Sequence, residues 1–248
     1  MGTSMRIDRY LTEMRVATRR QTRQLIKAGH VRLNQQLVTQ ARQSVDPNVD
    51  IVTVGGERVI YQPFVYYLMN KPVGVVTATT DVNTTTVMNL INAADFRDDL
   101  FPVGRLDKDT TGALLITNDG ELGHRLTSPK HHVLKQYRAT ITGTLSTDDV
   151  AKVAEGITLK DGTRLKPATL TVGEQDLVLN QTTIRLTLAE GKYHQVKRMV
   201  GSLGQRVIAL DREAFGPLTI GSGGLLPGHY RTLTEIELAA TQRAAGLG

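Results

Sequence analysis

The chain has 248 residues, of which 40% are apolar and 22% are charged, and its formal net charge is +6; such values are ordinary for a globular protein. It contains no cysteine, which excludes disulfides, thiolate zinc sites and cysteine nucleophiles. No apolar run approaches the roughly 18 residues of a membrane-spanning helix, and the first residues lack the apolar core of a signal peptide. We therefore expect a soluble cytoplasmic protein without a membrane partner, in which Met5 is a candidate for the natural start and residues 1–4 for an extension.

The positive charge is concentrated in the first 45 residues. They hold nine Lys and Arg against two acids, a net charge of +7, whereas the remaining residues have a net charge of −1. Eight of the nine bases are arginines, and the guanidinium fork suits phosphate groups. This asymmetry predicts a small nucleic-acid-binding module followed by a near-neutral body, and the alternative is a solvated basic helix.

Two helices and a hairpin are predicted within the basic segment. Apolar side chains of residues 7–14 share one helical face. Thr18 and Gln21 form a capping-box pattern that starts a second helix, and Gly29 ends it. Residues 30–38 alternate around a polar turn, which is typical of a hairpin.

This segment resembles the S4 RNA-binding domain. The matching stretches are RIDRYL at 6–11, TRR at 18–20, LIKAGHV at 25–31 and the strand-like residues 46–54. The resemblance implies that the region 18–32 contacts phosphates of structured RNA. The RNA-binding candidates of this segment are Arg6, Arg9, Arg19, Arg20, Arg23, Lys27 and Arg32. We place the domain boundary after residue 60, which gives domains at 1–60 and 61–248.

Strands dominate the predicted elements of the body, and helices are scattered among them. Strands are predicted over 64–69, 113–117, 136–141, 157–159, 168–172 and 182–188, and helices over 121–126, 148–154 and 194–203. An Asp-Gly pair at 161–162 predicts a hairpin turn. The pattern favours an α+β fold with a mixed or antiparallel sheet over a parallel doubly wound one.

Three short stretches of the body carry residues suited to chemistry: GRLD at 104–107, KQY at 135–137 and EGKYHQVKRMV at 190–200. Each is weak alone. An aspartate in a turn is usually a capping acid, a strand tyrosine usually packs, and a Lys-Arg pair on a helix is usually solvated. Their joint occurrence therefore needs a common explanation.

Together the stretches closely resemble the pseudouridine synthases, which isomerise uridine in ribosomal RNA. GRLDKDTTGALLITNDG at 104–120 matches the family signature. KPVGVVT at 71–77, HRLTSPKHHVLKQYRATI at 124–141, EGKYHQVKRMV at 190–200 and LLPGHYRTLT at 225–234 resemble the branch that modifies small-subunit rRNA, where an N-terminal S4 domain is typical. The resemblance implies uridine 516 of 16S rRNA as the target, with a large-subunit 23S rRNA synthase as the second interpretation.

The isomerisation breaks the N1–C1′ glycosidic bond, turns the detached base and joins C5 to C1′. It needs no redox change, no group donor, no metal and no cofactor, and we expect none. It does need a carboxylate and a pocket that retains free uracil. By resemblance Asp107 is the nucleophile, attacking C1′ or removing a ribose proton in a glycal-type route; addition to C6 is a less favoured third proposal.

The resemblance also assigns catalytic roles to Lys197 and Tyr137. Lys197 keeps Asp107 ionised beside an apolar strand, because a nearby cation favours the charged carboxylate. It stands where relatives often have arginine, so the charge is kept without the bidentate fork. Tyr137 stacks on the target base near C5, and such stacking is worth about 1–3 kcal/mol per base.

The remaining RNA-binding candidates of the body are Arg105, Lys71 and Arg198. Arg105 fills the space of the extruded nucleotide or grips a phosphate, and the alternative is that it pairs with Asp107 or Asp109. Lys71, in a Lys-Pro-x-Gly turn, is either structural or a phosphate contact. Asp109 itself is expected to be a turn or cap acid.

His131 and His132 are adjacent on a predicted loop without a third ligand, so we expect no metal there but a structural or RNA-facing role. The expected partner of the chain is 16S rRNA or a small-subunit precursor particle, bound by a monomer. Two other functions stay open. The protein could be an inert RNA-binding assembly factor, or an enzyme that hydrolyses the glycosidic bond and releases the base.

Overall fold

The computed structural model describes residues 4–221 and 224–247. The chain divides into two compact units, Met1–Phe64 and Val65–Gly248. Residues 1–3 of the proposed N-terminal extension lie outside the described residues. Each unit has its own apolar core, so each is considered by itself.

The first unit contains two helices and two small antiparallel sheets. Its elements are β1 (Met5–Arg6), α1 (Ile7–Glu13), α2 (Arg19–Lys27), β2 (Val31–Leu33), β3 (Gln36–Leu37), β4 (Ser44–Val45), β5 (Val52–Val54) and β6 (Glu57–Val59). The strand orders are β1-β4 and β3-β2-β5-β6. Ile7, Tyr10 and Leu11 of α1 pack with Ile26 of α2 and the buried strand valines. The helix pair and the hairpin predicted from the sequence are confirmed.

Helix α2 begins with the predicted capping box. Thr18 Oγ1 accepts a hydrogen bond from the Gln21 backbone N–H, and Gln21 Oε1 accepts one from the Thr18 backbone N–H at 2.9 Å. The reciprocal bonds satisfy two backbone donors that the first turn leaves open. The helix buries Thr22 and Ile26, and its four basic side chains lie on the exposed surface.

The second unit contains a nine-stranded sheet flanked by helices. Its strands are β7 (Tyr66–Lys71), β8 (Phe101–Val103), β9 (Thr110–Thr117), β10 (Lys135–Thr142), β11 (Thr169–Asp176), β12 (Gln181–Leu188), β13 (Val207–Phe215), β14 (Leu218–Thr219) and β15 (Tyr230–Thr232). Its helices are a 3₁₀ turn at Val87–Leu90 and α3 (Gly120–Thr127), α4 (Thr147–Glu155), α5 (Gln195–Ser202) and α6 (Glu235–Ala244).

The strand order is β11-β12-β10-β13-β9-β7-β15, with β14 on β13 and β8 on β9. Pairing is antiparallel everywhere except between β13 and β9, which run parallel. The sheet is therefore mixed, and the predicted α+β class is confirmed. On one face, alternate residues of β10 and β12 join α5 in the larger core of the unit.

The parallel contact between β13 and β9 depends on Gly112. It pairs with Arg212, its φ is +111°, and a Cβ at this position would lie 2.3 Å from the Arg212 carbonyl oxygen. No side chain fits at that distance, so glycine is required. This close approach lies among the first residues of β9, which pairs with β13 from Thr110 onward, three residues after Asp107, so the strand begins earlier than predicted.

The strand predicted at 157–159 is wrong. These residues form only an isolated bridge, Thr158 with Arg164, around the turn at Gly162. Two further backbone bonds join Leu159 to Thr163 and Leu165 to Ile157, so the segment closes on itself instead of joining the sheet. Its apolar residues are buried because they pack on the core beside α4, which a strand-like sequence pattern does not distinguish from sheet pairing.

Candidate active site

Asp107 lies in the loop between β8 and β9, and two buried side chains fix the backbone of that loop. Thr77 Oγ1 donates to the Leu106 carbonyl oxygen at 2.8 Å and accepts from the Leu106 N–H at 3.2 Å. The Asp107 carbonyl oxygen then accepts from the Thr110 N–H at 3.0 Å. A loop whose backbone groups are paired in this way presents its carboxylate in a defined position.

Lys71 is the second anchor of this loop. It ends β7, is fully buried, and its Nζ donates to the Thr110 carbonyl oxygen at 2.8 Å, to Pro72 at 3.0 Å and to Lys108 at 3.4 Å. Burial lowers its pKa to about 8. The expectation that Lys71 contacts RNA phosphate is wrong, because its ammonium group is inaccessible; the structural alternative agrees with its contacts.

The Asp107 carboxylate faces two basic side chains of the α5 region. Lys197 Nζ lies 3.0 Å from Asp107 Oδ2, and His194 Nε2 lies 3.5 Å from Oδ1. Lys197 sits in the first turn of α5, and His194 is the residue that precedes that helix. The structure thus brings together Asp107 and Lys197, as the sequence predicted, and adds a histidine that the prediction did not single out.

Lys197 is shared between two carboxylates. Its Nζ is also 2.6 Å from Asp109 Oδ1. Burial lowers the pKa of Lys197, but the hydrogen bonds with Asp109 and Asp107 outweigh it and raise the pKa overall. The hydrogen bond from Lys197 lowers the pKa of Asp109. Asp109 is therefore an ion-pair partner of Lys197, which the interpretation of this residue as a turn or cap acid missed.

Tyr137 forms an aromatic wall of the same cleft. It lies on β10, is only 9% exposed, and belongs to the face of the sheet that packs against α5. Its hydroxyl makes no hydrogen bond with the part of the chain that the structure describes, so the ring is held by packing. The cleft is lined by Arg105, Leu106, Asp107, Thr110, Tyr137, Leu188, Gly191, Lys192, His194, Gln195, Val196, Lys197 and Leu210.

Arg105 is exposed beside the cleft and, among the described residues, forms no ion pair. The alternative in which it pairs with Asp107 or Asp109 is therefore wrong. Arg198 is different, because its guanidinium group forms an ion pair with Asp161 and donates to the Tyr193 carbonyl oxygen at 3.5 Å. An RNA contact of Arg198 stays a prediction.

The basic candidates of the first unit divide into two groups. Four side chains of α2 are exposed and have no ion pair within residues 4–221 and 224–247: Arg19, Arg20, Arg23 and Lys27. The others contact this unit, since Arg6 pairs with Asp8, Arg9 with Glu13, and Arg32 Nη1 donates to the Gln35 carbonyl oxygen at 2.9 Å. The ridge of α2 is thus the least compensated positive surface of the unit.

His131 and His132 lie outside any ligand cluster that the described residues form. Within the described residues no group of three or more His, Asp or Glu side chains could hold a metal ion. In the same residues no helix has the length and apolar character needed to cross a membrane.

Residues 65–202 match a protein family described as RNA pseudouridylate synthase, and residues 5–51 match the S4 domain. The chain belongs to the RNA pseudouridylate synthase family. The resemblance seen in the sequence is thereby confirmed in both parts of the chain. The enzyme is an isomerase that acts on RNA, and the site around Asp107 lies within the matched residues.

Whole-chain relatives agree with this assignment. An uncharacterized RNA pseudouridine synthase of Bacillus subtilis is 42% identical, covering 94% of this chain and 97% of its own. The ribosomal small subunit pseudouridine synthase A of Vibrio cholerae is 39% identical, covering 95% and 99%. Its Escherichia coli namesake is 35% identical, covering 95% and 99%. A crystal structure of a pseudouridylate synthase superposes with a TM-score of 0.63 at 33% identity, covering 96% and 99%.

Proposed function

We propose that this pseudouridine synthase isomerises one uridine of small-subunit ribosomal RNA, with Asp107 as the nucleophile. The observation that carries the proposal is the Asp107 carboxylate, 3.0 Å from Lys197 Nζ in a cleft that Tyr137 also lines. The names of the Vibrio cholerae and Escherichia coli relatives support a small-subunit substrate. The sequence resemblance narrows the target to uridine 516 of 16S rRNA.

The proposed reaction conserves every atom of the nucleotide except one exchanged proton. Asp107 attacks C1′, the N1–C1′ bond breaks, and uracil leaves as an anion with the bonding electrons. The base turns, and C5 attacks C1′ and displaces the Asp107 carboxylate. The C5 proton then passes to solvent and N1 takes up a proton. Asp107 therefore begins and ends the cycle ionised.

Lys197 and Tyr137 act on different groups in this reaction: Lys197 on the Asp107 carboxylate, and Tyr137 on the uracil base. Lys197 favours the ionised form of Asp107, because a cation within about 4 Å stabilises a carboxylate. Its raised pKa keeps it charged at neutral pH. Tyr137 offers its ring to the detached uracil, and base–aromatic stacking of about 1–3 kcal/mol helps to retain the base while it turns.

The target nucleotide has to leave its helix to reach a carboxylate in a cleft, which costs a few kcal/mol. Arg105, exposed beside the cleft and without an ion pair among the described residues, is available to hold the neighbouring phosphate. The α2 ridge of the first unit would supply affinity that does not depend on sequence. We further propose that the enzyme acts as a monomer on 16S rRNA, free or within a precursor particle.

The test is tritium release from 16S and 23S transcripts labelled with [5-³H]uridine, because the C5 proton is lost in the reaction. Asp107→Asn removes the nucleophile with little change in shape, and we expect it to abolish release while RNA binding is kept. Asp148→Asn, the same change at an exposed position of α4, is the matched control and should retain full activity. Release that levels off at one equivalent per 16S molecule agrees with a single target.

Other outcomes would select other functions. Release from 23S rRNA alone would favour a large-subunit synthase, and free uracil in the products would indicate hydrolysis. If no tritium is released from either RNA or from assembled particles, the protein is better interpreted as an inert RNA-binding factor. Mapping the product position by carbodiimide adducts and reverse transcription tests uridine 516, and sedimentation equilibrium tests the monomer.

A further inference from the structure

We propose that His194 is a positioning residue for Asp107, an inference that rests on the proposed function. Its Nε2, 3.5 Å from Asp107 Oδ1, restrains the oxygen that Lys197 does not hold. One contact leaves a carboxylate free to rotate, since the terminal torsion of aspartate has a broad energy minimum. Contacts on both oxygens define the plane of the group and therefore the direction in which it attacks.

The backbone of His194 is the first observation in favour. Its φ is +47° and its ψ is +35°, in the left-handed region, although it carries a large side chain. A residue other than glycine is uncommon in this region, although asparagine, aspartate and histidine occur there more often than other side chains. The position thus has an uncommon backbone conformation, and such conformations cluster at functional sites.

A hydrogen-bond network enforces this conformation. The turn before α5 is closed by Gln195, which is buried: its Oε1 accepts from the Lys192 N–H at 2.8 Å, and its backbone N–H donates to the Lys192 carbonyl oxygen at 3.1 Å. Gln195 Nε2 donates to Glu190 Oε1 at 2.8 Å, and the same oxygen accepts from the Lys166 N–H at 2.9 Å. These contacts determine the turn without help from the imidazole.

The ring of His194 is therefore free to act toward the cleft. It makes no capping bond to α5, although it occupies the residue before that helix. It stacks on Tyr193 with 3.8 Å between the ring centroids and 18° between the planes, and this contact fixes its orientation. Tyr193 is 75% exposed, so the stack lies at the surface and not in the core.

The charged groups around the imidazole agree with a contact to Asp107. Asp109, the other carboxylate of the cluster, has a lowered pKa chiefly because Lys197 donates a hydrogen bond to it. Lys197 lies between the two carboxylates, and Lys192 and Arg105 line the same cleft. A separation of 3.5 Å exceeds an ideal hydrogen bond, but catalytic hydrogen bonds commonly shorten when substrate excludes water.

The decisive variant is His194→Asn, because asparagine suits the left-handed backbone and its shorter amide does not reach Asp107. We expect the thermal unfolding midpoint to be equal or higher. The single-turnover rate of tritium release should fall by up to about a hundredfold, as for a misplacement of reacting groups by about 1 Å. The dissociation constant for 16S rRNA should not change.

Two further variants complete the design. His194→Gln carries an amide donor at nearly the reach of Nε2, and we expect it to restore part of the rate. His124→Asn, the same change as the decisive variant at an exposed position of α3, should keep both rate and stability. Loss of rate together with stability in His194→Asn, or a wild-type rate in that variant, overturns the inference.

Asp107→Asn measured in parallel separates this inference from the function on which it rests. If Asp107→Asn is inactive but His194→Asn has the wild-type rate, only the positioning role of His194 is wrong. If Asp107→Asn retains release, or if wild-type protein releases no tritium from any RNA, the nucleophile is wrong and the positioning role falls with it.

Discussion

Helices α2 and α5 are both basic, yet their cations have opposite surroundings. Arg19, Arg23 and Lys27 of α2 are exposed and form no ion pair within the described residues. Lys197 of α5 is bonded to two carboxylates, and Arg198 to one. A cation without a partner in its own protein is available to RNA phosphates, whereas a cation held between carboxylates restrains their position. Under the proposed function, similar composition therefore serves binding in one unit and chemistry in the other.

Removing the shared cation of α5 should have the largest effect. Lys197→Ala leaves Asp107 and Asp109 without the cation that they share. We expect the rate of tritium release to fall by more than about a hundredfold and the free energy of unfolding to fall by about 1–3 kcal/mol. Lys197→Arg keeps the charge and should retain more of both. A wild-type rate in Lys197→Ala would contradict the catalytic role that distinguishes the cation of α5 from those of α2.

Neutralising the ridge of α2 should weaken binding without touching chemistry. Changing its four basic residues to glutamine removes up to four phosphate contacts, and each contact contributes about 0.7–0.9 to the slope of log affinity against log salt. We therefore expect the slope for 16S rRNA to decrease by about 3, with the single-turnover rate at saturation unchanged. In the control variant, the three arginines become lysine and the lysine becomes arginine, so the charge is kept. An unchanged salt slope in the neutral variant would contradict the proposal that α2 contacts RNA phosphates.

Lys71 is a third kind of cation, bonded to backbone carbonyls and not to carboxylates. Lys71→Met keeps the length of the side chain but removes three hydrogen bonds, two of them to Lys108 and Thr110 beside Asp107. We expect the free energy of unfolding to decrease by about 3 kcal/mol, measured by urea denaturation. RNA affinity should stay at the wild-type value, because the ammonium group is buried. A loss of RNA affinity in a folded variant would instead favour the interpretation of Lys71 as a phosphate contact.

The smallest effect is expected at the ion pair of Arg231 and Glu237, to which we assign no part in RNA binding or catalysis. Nη1 and Nη2 of Arg231 both donate to the carboxylate of Glu237, and these bonds lower its pKa from 4.5 to about 2. Such a pair stabilises the fold above the ordinary pKa, and its contribution is lost as the pH falls through the lowered one.

Glu237→Gln should thus destabilise the protein by about 1 kcal/mol or less at pH 7, because the pair is partly exposed. The difference from wild type should disappear between pH 4.5 and pH 2 in chemical denaturation experiments. A difference independent of pH would mean that the cap bonds to Thr234, and not the charge, stabilise this turn.

Much of the fold followed from short-range patterns. The capping box of Thr18 and Gln21 and the helix before Gly204 depend on residues a few positions apart, so one chain segment contains all the information. The strand predicted at 157–159 failed because burial beside α4 and burial in a sheet produce the same apolar pattern. The early start of β9 depends on Arg212, which is a hundred residues away in the chain.

The sequence by itself determined the family, the uneven distribution of charge and the identity of Asp107, Tyr137 and Lys197 as candidates, because residue types in fixed order carry that information. Only the tertiary structure decided which charges meet. Asp109 pairs with Lys197, Arg105 does not pair with Asp107, Lys71 is buried, and His194 faces the carboxylate. Contacts of 3 Å between residues some ninety positions apart depend on strand register and loop geometry, and no local pattern encodes these.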